Sequence, residues 1–175
     1  MVRFLLTALC MVTLGAGLRA QAPPRNPFDA PKAAQTMHLS VEASAAPAAA
    51  APGGKVTLAF TITPRKDIHV YAPGKHDYQV VSFDLAPQPW FRAEATKYPP
   101  SEIWDFKPLN EKVEVYSTTF RLSREVTILD TAEAKKALAG RTAVTIAGTL
   151  QYQACDDAVC YKPAKVPVSF DLTIK

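Results

Sequence analysis

Two cysteines near the carboxyl terminus, Cys155 and Cys160, give the clearest chemical signal in the sequence. Four residues separate them, and they lie between two segments with the alternating pattern of β-strands. A disulfide needs Cα atoms roughly 4.4–6.8 Å apart, which residues flanking a tight connection between antiparallel strands can satisfy. The pair can therefore form a disulfide, and thiol-disulfide exchange is the first chemistry that the sequence indicates.

The size of the ring separates two interpretations of this pair. In the chain-entropy model, a bridge that closes about six residues contributes roughly 2 kcal/mol, against more than about 4 kcal/mol for a loop of about 100 residues. A structural immunoglobulin disulfide joins distant strands and has a Trp between its cysteines, and this pair does neither. The small ring favours redox exchange. The alternative is a non-catalytic secreted β-sandwich binding domain with a structural hairpin disulfide.

Neighbouring charges and strand alternation give expectations for each thiol. Asp156 and Asp157 disfavour a thiolate, whereas Lys162 favours one. We therefore expect a thiol that is not strongly acidic. Alternation continued from the preceding strand puts Cys155 on the polar face, and Cys160 shares parity with the apolar residues of the last strand.

The amino terminus has the layout of a secretory signal peptide, with Arg3 before an apolar run that ends near Gly17. We expect residues 1–20 to be this signal, with cleavage after Ala20, which removes Cys10 and leaves two cysteines. No later stretch is apolar for long enough to span a membrane. Export puts the pair in the periplasm or another secreted setting, where disulfides persist.

Charge and composition argue against several classes of function. The formal net charge of +4 falls by two, to about +2, without the two arginines of the signal, which is too little to indicate nucleic-acid binding. The sequence has no glycine-rich phosphate loop, nucleophile elbow or paired-carboxylate motif. The thiolates of Cys155 and Cys160 could bind a soft ion such as Cu(I) together with a histidine. However, no such third ligand lies close to the two cysteines in the sequence. We expect no metal and no organic cofactor.

Short segments of alternating apolar and polar residues predict an all-β domain. Residues 21–35 are rich in Pro and Ala and are expected to form a flexible leader, so the domain should span 36–175. The Ala-, Pro- and Gly-rich run 45–54 is expected to connect two strands. Strands are predicted at 37–43, 56–63, 68–71, 81–85, 113–122, 144–153 and 166–174. About seven strands and one short helix predict an immunoglobulin-like antiparallel β-sandwich.

Three further features refine this prediction. Segment 90–110 is rich in Pro and aromatic residues and is expected to be a long loop. Within 113–122 the apolar residues change from odd to even positions, which predicts a bulge. The helix is expected over 131–139, with Thr131 as its N-cap and Gly140 as its stop.

The residues around the cysteines resemble a known family. The runs Tyr152-Gln153-Ala154-Cys155 and Cys160-Tyr161-Lys162-Pro163, followed by Val166-Pro167-Val168, resemble the N-terminal periplasmic domain of the DsbD family of thiol:disulfide interchange proteins. The resemblance covers 36–175. It implies an immunoglobulin-like sandwich whose dithiol takes electrons from a membrane partner and passes them to periplasmic thioredoxin-like proteins, an activity of the protein-disulfide reductase type.

The resemblance implies that Cys155 and Cys160 are the catalytic pair and that Cys160 forms the mixed disulfides. This disagrees with the alternation argument, and we follow the resemblance. Two departures from the family pattern matter. The cysteine spacing is one residue shorter than in the best-known member, and the membrane and thioredoxin-like parts of that family are absent from this sequence. We therefore expect the membrane electron donor to be another polypeptide.

Four more residues are candidates because of the resemblance. His69 and Tyr71 resemble the segment whose aromatics flank the cysteines, although a strand-end histidine is often only hydrogen-bonded and a tyrosine can simply fill a core. Asp105 and Phe106 resemble a cap loop in which a phenylalanine covers the disulfide and an acidic residue lies close to it. The alternative for Phe106 is an aromatic that only holds its loop in place.

Overall fold

The structure is a computed structural model that describes residues 32–107 and 110–175. The expected signal peptide, Cys10 and most of the expected leader lie outside these residues. The elements in chain order are β1 (Ala33–Gln35), β2 (Leu39–Ala46), β3 (Ala49–Ala50), β4 (Lys55–Pro64), β5 (His69–Tyr71), β6 (Ser82–Leu85), β7 (Phe91–Ala93), β8 (Glu102–Phe106), β9 (Glu111–Tyr116), β10 (Phe120–Ile128), α1 (Ala132–Leu138), β11 (Ala143–Tyr152), β12 (Ala154–Cys155) and β13 (Ala164–Ile174).

The strands of the described residues form three sheets. The first has the order β1-β2-β4-β10-β7, the second β3-β13-β11-β6 and the third β12-β5-β9-β8. Neighbouring strands are antiparallel except for β3 and β13. The predicted immunoglobulin-like β-sandwich with one short helix is confirmed.

The main core lies where the first two sheets face each other. Phe60 on β4 meets Phe83 on β6 with ring centroids 4.6 Å apart, and it meets Phe170 on β13 at 5.0 Å. All three rings are at most 1 % exposed. They come together because each strand turns alternate side chains inward.

The helix begins and ends as the sequence predicts. The Thr131 hydroxyl accepts the N–H of Ala134 at 3.1 Å, which satisfies one of the free donors of the first turn. Ala134 and Leu138 are buried, so one side of the helix packs on the core. Gly140 follows with a φ of 73°, a left-handed conformation that glycine adopts without strain. No helix in residues 32–107 and 110–175 has the length and apolarity needed to cross a membrane.

Two expectations about the connections near the amino terminus are wrong. The leader was expected to run through Gln35, but Ala33–Gln35 form β1 and pair with β2. The connection expected at 45–54 contains the end of β2 and all of β3. Both segments are rich in alanine, and backbone pairing with a neighbouring strand gives them an extended conformation that side-chain pattern alone does not reveal.

Two expectations about the middle of the chain are also wrong. Segment 90–110 contains β7 and β8 and is not one long loop. The change of apolar phase in 113–122 is not a bulge, because β9 and β10 are separate strands in different sheets. The change falls inside β9, whose register with β5 and β8 is continuous. Val113 and Val115 pack in a small second cluster on one face of β9, whereas Tyr116 packs in the main core, to which Phe120 also belongs.

Candidate functional site

The third sheet separates the main core from the cysteine site. Val70, Tyr116 and Ala154 belong to the main core, whereas Tyr71 and Cys155 belong to a second, smaller cluster on the other side. Neighbouring residues of a strand point to opposite faces, which explains why Val70 and Tyr71, or Ala154 and Cys155, divide in this way. The two-residue strand β12 therefore turns one cysteine into the site.

Cys155 and Cys160 are bonded to each other, and their exposures differ sharply. Cys155 is 1 % exposed and pairs with His69 of β5, whereas Cys160 is exposed to solvent. The alternation argument, which put Cys155 on the polar face, is wrong. The chain leaves β11 after Tyr152 and enters β12 in a different sheet, so the alternation of β11 does not continue across Gln153.

Tyr71 contacts both sulfur atoms. Its hydroxyl oxygen lies 3.0 Å from Sγ of Cys155 and 3.3 Å from Sγ of Cys160. Burial raises the pKa of Tyr71 above its usual value, so the hydroxyl keeps its proton and can donate to a sulfur. Its ring stacks on Tyr78 at a centroid distance of 4.1 Å, and the Tyr78 hydroxyl donates to Oε2 of Glu111 at 2.9 Å. These contacts keep the Tyr71 hydroxyl next to the two sulfur atoms.

His69 lies beside the buried sulfur as a neutral ring. It is 3 % exposed, and its ring centroid lies 4.8 Å from that of Trp104 and 6.0 Å from that of Tyr71. Burial lowers the pKa of His69, and the charges of Asp157 and Asp156 oppose this shift in part. The imidazole is therefore uncharged near neutral pH.

Strand β8 forms one wall of a narrow, tightly packed cleft at the disulfide, which has no room for a water molecule. Trp104 and Phe106 line the cleft and are half-buried. Asp105 lies between them in sequence and is not among the lining residues. Its carboxylate accepts a hydrogen bond from Lys107, which lowers the pKa of Asp105. The expectation that Asp105 lies close to the cysteines is wrong, because strand alternation turns it to the opposite side from Trp104 and Phe106.

The acidic residues that do line the cleft are Asp156 and Glu111. Oδ1 of Asp156 accepts the N–H groups of Ala158 and Val159 at 2.8 and 2.7 Å, and Oδ2 accepts the hydroxyl of Tyr161 at 2.8 Å. The backbone hydrogen bond from Ala158 is the largest of the causes that lower the pKa of Asp156. The carboxylate is therefore charged at neutral pH and lies next to Cys155 in the chain.

The sequence did not point to Tyr78, Trp104 or Glu111 as site residues. The alternation of Trp104 with Phe106 in a β-strand would have identified Trp104, had 90–110 not been interpreted as a loop. Tyr78 and Glu111 lie in segments without a periodic pattern, so no local signal marked them. Across 32–107 and 110–175, no group of three or more His, Cys, Asp or Glu side chains is placed to hold a metal ion.

The model of the family described as "Thiol:disulfide interchange protein DsbD, N-terminal" matches residues 35–171. The chain belongs to this family. The suspected resemblance is thus confirmed. No curated protein sequence matches the chain significantly.

Two solved structures of N-terminal domains are similar to the chain. The N-terminal periplasmic domain of ScsB from Proteus mirabilis matches 76 % of this chain with 12 % identity and a TM-score of 0.51. The chain spans 47 % of the length of that structure. The reduced N-terminal domain of DsbD from Neisseria meningitidis matches 69 % of this chain and 78 % of its own, with 15 % identity and a TM-score of 0.41. The ScsB match agrees with the sandwich fold described above.

Proposed function

We propose that this chain is an exported module that passes electrons between protein partners through the Cys155/Cys160 dithiol. The observation that carries the proposal is the difference between the two cysteines. Cys160 is exposed to solvent, whereas Cys155 is 1 % exposed and backed by Tyr71 and His69. One sulfur is placed to meet a partner, and the other is placed to complete the reaction inside the domain.

The exchange reaction follows from this arrangement. A partner thiolate attacks Sγ of Cys160, the bond between Cys160 and Cys155 breaks, and a mixed disulfide between the partner and Cys160 forms. Cys155 leaves as a thiolate and takes up a proton. A second thiolate of the partner then attacks the partner sulfur of the mixed disulfide, which completes the partner's disulfide and releases Cys160 as a thiol after protonation. Two electrons and two protons have then moved to this domain, and the reverse sequence passes them on.

Tyr71 is the residue placed to assist the step in which Cys155 leaves. Its protonated hydroxyl lies 3.0 Å from Sγ of Cys155, where a hydrogen bond becomes stronger as the sulfur gains negative charge. The same contact stabilises the Cys155 thiolate before it attacks the mixed disulfide in the reverse reaction. In this proposal Tyr71 takes part in the exchange reaction and does not only fill space in the core.

The remaining site residues shape access and polarity. Phe106 and Trp104 line the cleft at the disulfide, and we propose that Phe106 shields the bond from small thiols until a partner displaces it. His69 supplies a neutral, buried wall next to Cys155. The negative charge of Asp156 disfavours a thiolate nearby, so we expect thiols that are not strongly acidic. A thiol titration of the reduced protein checks this, and a pKa well below neutral would contradict it.

The partners and the compartment are proposed from the family. The family is named for thiol-disulfide interchange, and the similar ScsB domain is described as periplasmic. Thioredoxin-like proteins are the partners that the family implies. We propose that the electron donor is a separate membrane protein. We place the domain in the periplasm, where disulfides form and persist.

Trapping with single-cysteine variants tests the proposal. Cys155→Ala leaves the exposed Cys160, and Cys160→Ala leaves the buried Cys155 as the matched control. Each variant is mixed with a thioredoxin-like domain whose resolving cysteine is replaced and whose remaining cysteine is activated as a mixed disulfide with 2-nitro-5-thiobenzoate. We expect the covalent heterodimer to form at least about tenfold faster with Cys155→Ala. Equal rates for the two variants would contradict the proposal.

The redox potential separates this function from a structural hairpin disulfide. Exchange proteins have potentials between about −120 and −270 mV, whereas structural disulfides lie below roughly −300 mV. We expect the Cys155–Cys160 pair to fall in the first range. A potential below the second limit, together with failure to trap a partner, would support the non-catalytic binding domain.

A further inference from the structure

A side-chain hydrogen bond closes the same loop that the disulfide closes. Asp156 follows Cys155 in the chain, and Tyr161 follows Cys160. The Tyr161 hydroxyl donates to Oδ2 of Asp156 at 2.8 Å, so the residues next to the two cysteines are joined through their side chains. This hydrogen bond connects the same two points of the chain as the disulfide does.

The other oxygen of Asp156 organises the interior of the loop. Oδ1 accepts the N–H groups of Ala158 and Val159, and the N–H of Asp156 donates to the carbonyl of Val159 at 3.0 Å. The N–H of Tyr161 donates to the carbonyl of Ala154 at 2.9 Å. None of these bonds uses a sulfur atom. They can therefore remain when the disulfide opens.

Tyr161 is itself held from outside the loop. Its ring centroid lies 4.3 Å from that of His38, and Nδ1 of His38 lies 3.4 Å from the hydroxyl of Tyr152. The Tyr152 hydroxyl donates to Oγ1 of Thr36 at 2.9 Å. The partner of Asp156 is thus fixed against the end of β11 and the segment before β2, and does not move with the loop alone.

We propose that Asp156 is a positioning residue that, together with Tyr161, keeps Cys160 within bonding reach of Cys155 after the disulfide is opened. This inference rests on the proposed exchange function. It names residues that shift the equilibrium between the disulfide and the two thiols. A loop held in this way has a high effective concentration of one thiol at the other, which favours the oxidised form and speeds attack of Cys155 on a mixed disulfide at Cys160.

Asp156 has two effects that act on the same equilibrium and must be separated. Its hydrogen bonds favour the disulfide by holding the loop. Its charge disfavours a thiolate in the reduced form, and this matters only at a pH where the thiols begin to ionise. Because Asp156 keeps its charge at pH 6 while ordinary thiols are protonated there, measurements at pH 6 isolate the effect of the hydrogen bonds.

Three variants divide these contributions. Asp156→Asn removes the charge but keeps a side-chain oxygen for the N–H groups of Ala158 and Val159. Asp156→Ala removes both the charge and every side-chain hydrogen bond. Tyr161→Phe keeps the charge and the ring against His38, and removes only the bond between Tyr161 and Asp156.

The measurement is the equilibrium of the full domain with glutathione, in which oxidised glutathione oxidises the two protein thiols to the disulfide and is itself reduced to two glutathione thiols. The constant gives the effective concentration of the dithiol directly. At pH 6 we expect it to fall about five- to tenfold in Asp156→Ala and about threefold in Tyr161→Phe, and to stay within about twofold in Asp156→Asn. A tenfold change corresponds to about 30 mV. At pH 8.5 Asp156→Asn should fall further, because its thiols ionise more readily.

Equal constants for Asp156→Ala and Asp156→Asn at pH 6 would overturn the inference. If circular dichroism shows that Asp156→Ala is unfolded, Tyr161→Phe decides instead, and a constant equal to that of the original protein would overturn the inference. These outcomes are distinct from failure of the proposed function. A potential below the range of exchange proteins and an absence of trapping would contradict the function, while the comparison between the variants would still be readable.

Discussion

Two aromatic clusters in this domain have similar spacing and different composition. In the main core, Phe60 lies 4.6 Å from Phe83 and 5.0 Å from Phe170, and all three rings are closed to solvent. At the disulfide, Tyr71 stacks on Tyr78 at 4.1 Å, but Tyr78 is only half-buried. The three core rings are hydrocarbon throughout, whereas the two stacked rings at the disulfide both carry a hydroxyl.

The contacts of the two hydroxyls explain why the rings at the disulfide are tyrosines and not phenylalanines. The Tyr71 hydroxyl contacts both sulfurs, and the Tyr78 hydroxyl is bound to Glu111. An aromatic ring with a polar atom can pack at one end and make a directed hydrogen bond at the other. We expect the main core to supply most of the stability of the domain, because its rings are fully buried. We expect the rings at the disulfide to stabilise the fold less, because Tyr78 is only half-buried.

The largest expected effect comes from the main core. Phe60→Ala should lower the free energy of unfolding by about 3–5 kcal/mol, because the ring is completely buried between two sheets. Urea denaturation gives this value. In the fraction that remains folded, the rate of thiol exchange should not change. A loss below about 1 kcal/mol, or a change in exchange rate with the fold intact, would break the division of roles between the two clusters.

The disulfide itself should contribute less than one core ring. Reduction without any substitution should lower the free energy of unfolding by about 2 kcal/mol, because the ring that it closes is small. Urea denaturation of the oxidised and the fully reduced protein gives the difference. A loss larger than that of Phe60→Ala would mean that the bridge is a structural staple, and the comparison between the two regions would then fail.

The third prediction compares two tyrosines that are matched in burial and stacking. Tyr71 stacks on Tyr78 and its hydroxyl contacts the sulfurs, whereas Tyr116 stacks on Phe120 at 4.1 Å and its hydroxyl donates to the carbonyl of Pro99 at 2.8 Å. Tyr71→Phe should slow thiol exchange about tenfold, since the leaving sulfur loses a hydrogen bond that strengthens with its charge.

Tyr116→Phe is the control for this substitution. It should lower the free energy of unfolding by about 1 kcal/mol and leave the exchange rate unchanged, because its hydrogen bond lies away from the sulfurs. Stopped-flow reduction of each oxidised variant by a reduced thioredoxin-like domain measures both rates, because Cys155 is the leaving sulfur in that direction. Equal slowing in the two variants would show that the Tyr71 hydroxyl acts through the fold alone.

The regular parts of the fold could be predicted from the sequence because each long strand faces a single core. The alternation of β4 and β13, and the Thr131 cap of α1, are local patterns with a direct physical cause. The predictions that failed lie where the chain changes sheet or where a strand is buried on both faces. At Gln153 the alternation restarts in another sheet. In β9 the apolar parity changes between Val115 and Tyr116, because one face packs in the small second cluster and the other in the main core.

The same limit applied to the site. Cys155 was predicted to be on the polar face, because alternation was continued through the point at which β11 ends and β12 begins. Asp105 was expected near the cysteines because it adjoins Phe106 in sequence, whereas adjacent residues of a strand point apart. The contacts that complete the site, such as Glu111 with Tyr78, join residues 33 positions apart and arise only from tertiary packing.

The smallest expected effect is a change in pH dependence at His69, which sharpens the contrast between the polar site and the apolar core. Burial lowers the pKa of His69 in the folded protein below the unfolded value of about 6.5, so the unfolded chain binds more protons as the pH falls through this region. The free energy of unfolding should therefore decrease from pH 7 to pH 5.

His69→Phe should show a smaller decrease, because phenylalanine cannot take up the proton. Carboxyl groups whose pKa is lowered lose their contribution at lower pH. That of Asp105 does not depend on His69 and cancels in the comparison, whereas His69 is the smallest of the causes that lower the pKa of Asp156, so the contribution of Asp156 changes only slightly. Urea denaturation at the two pH values measures both decreases, and equal decreases would mean that the imidazole is solvated well enough to accept a proton in the folded state.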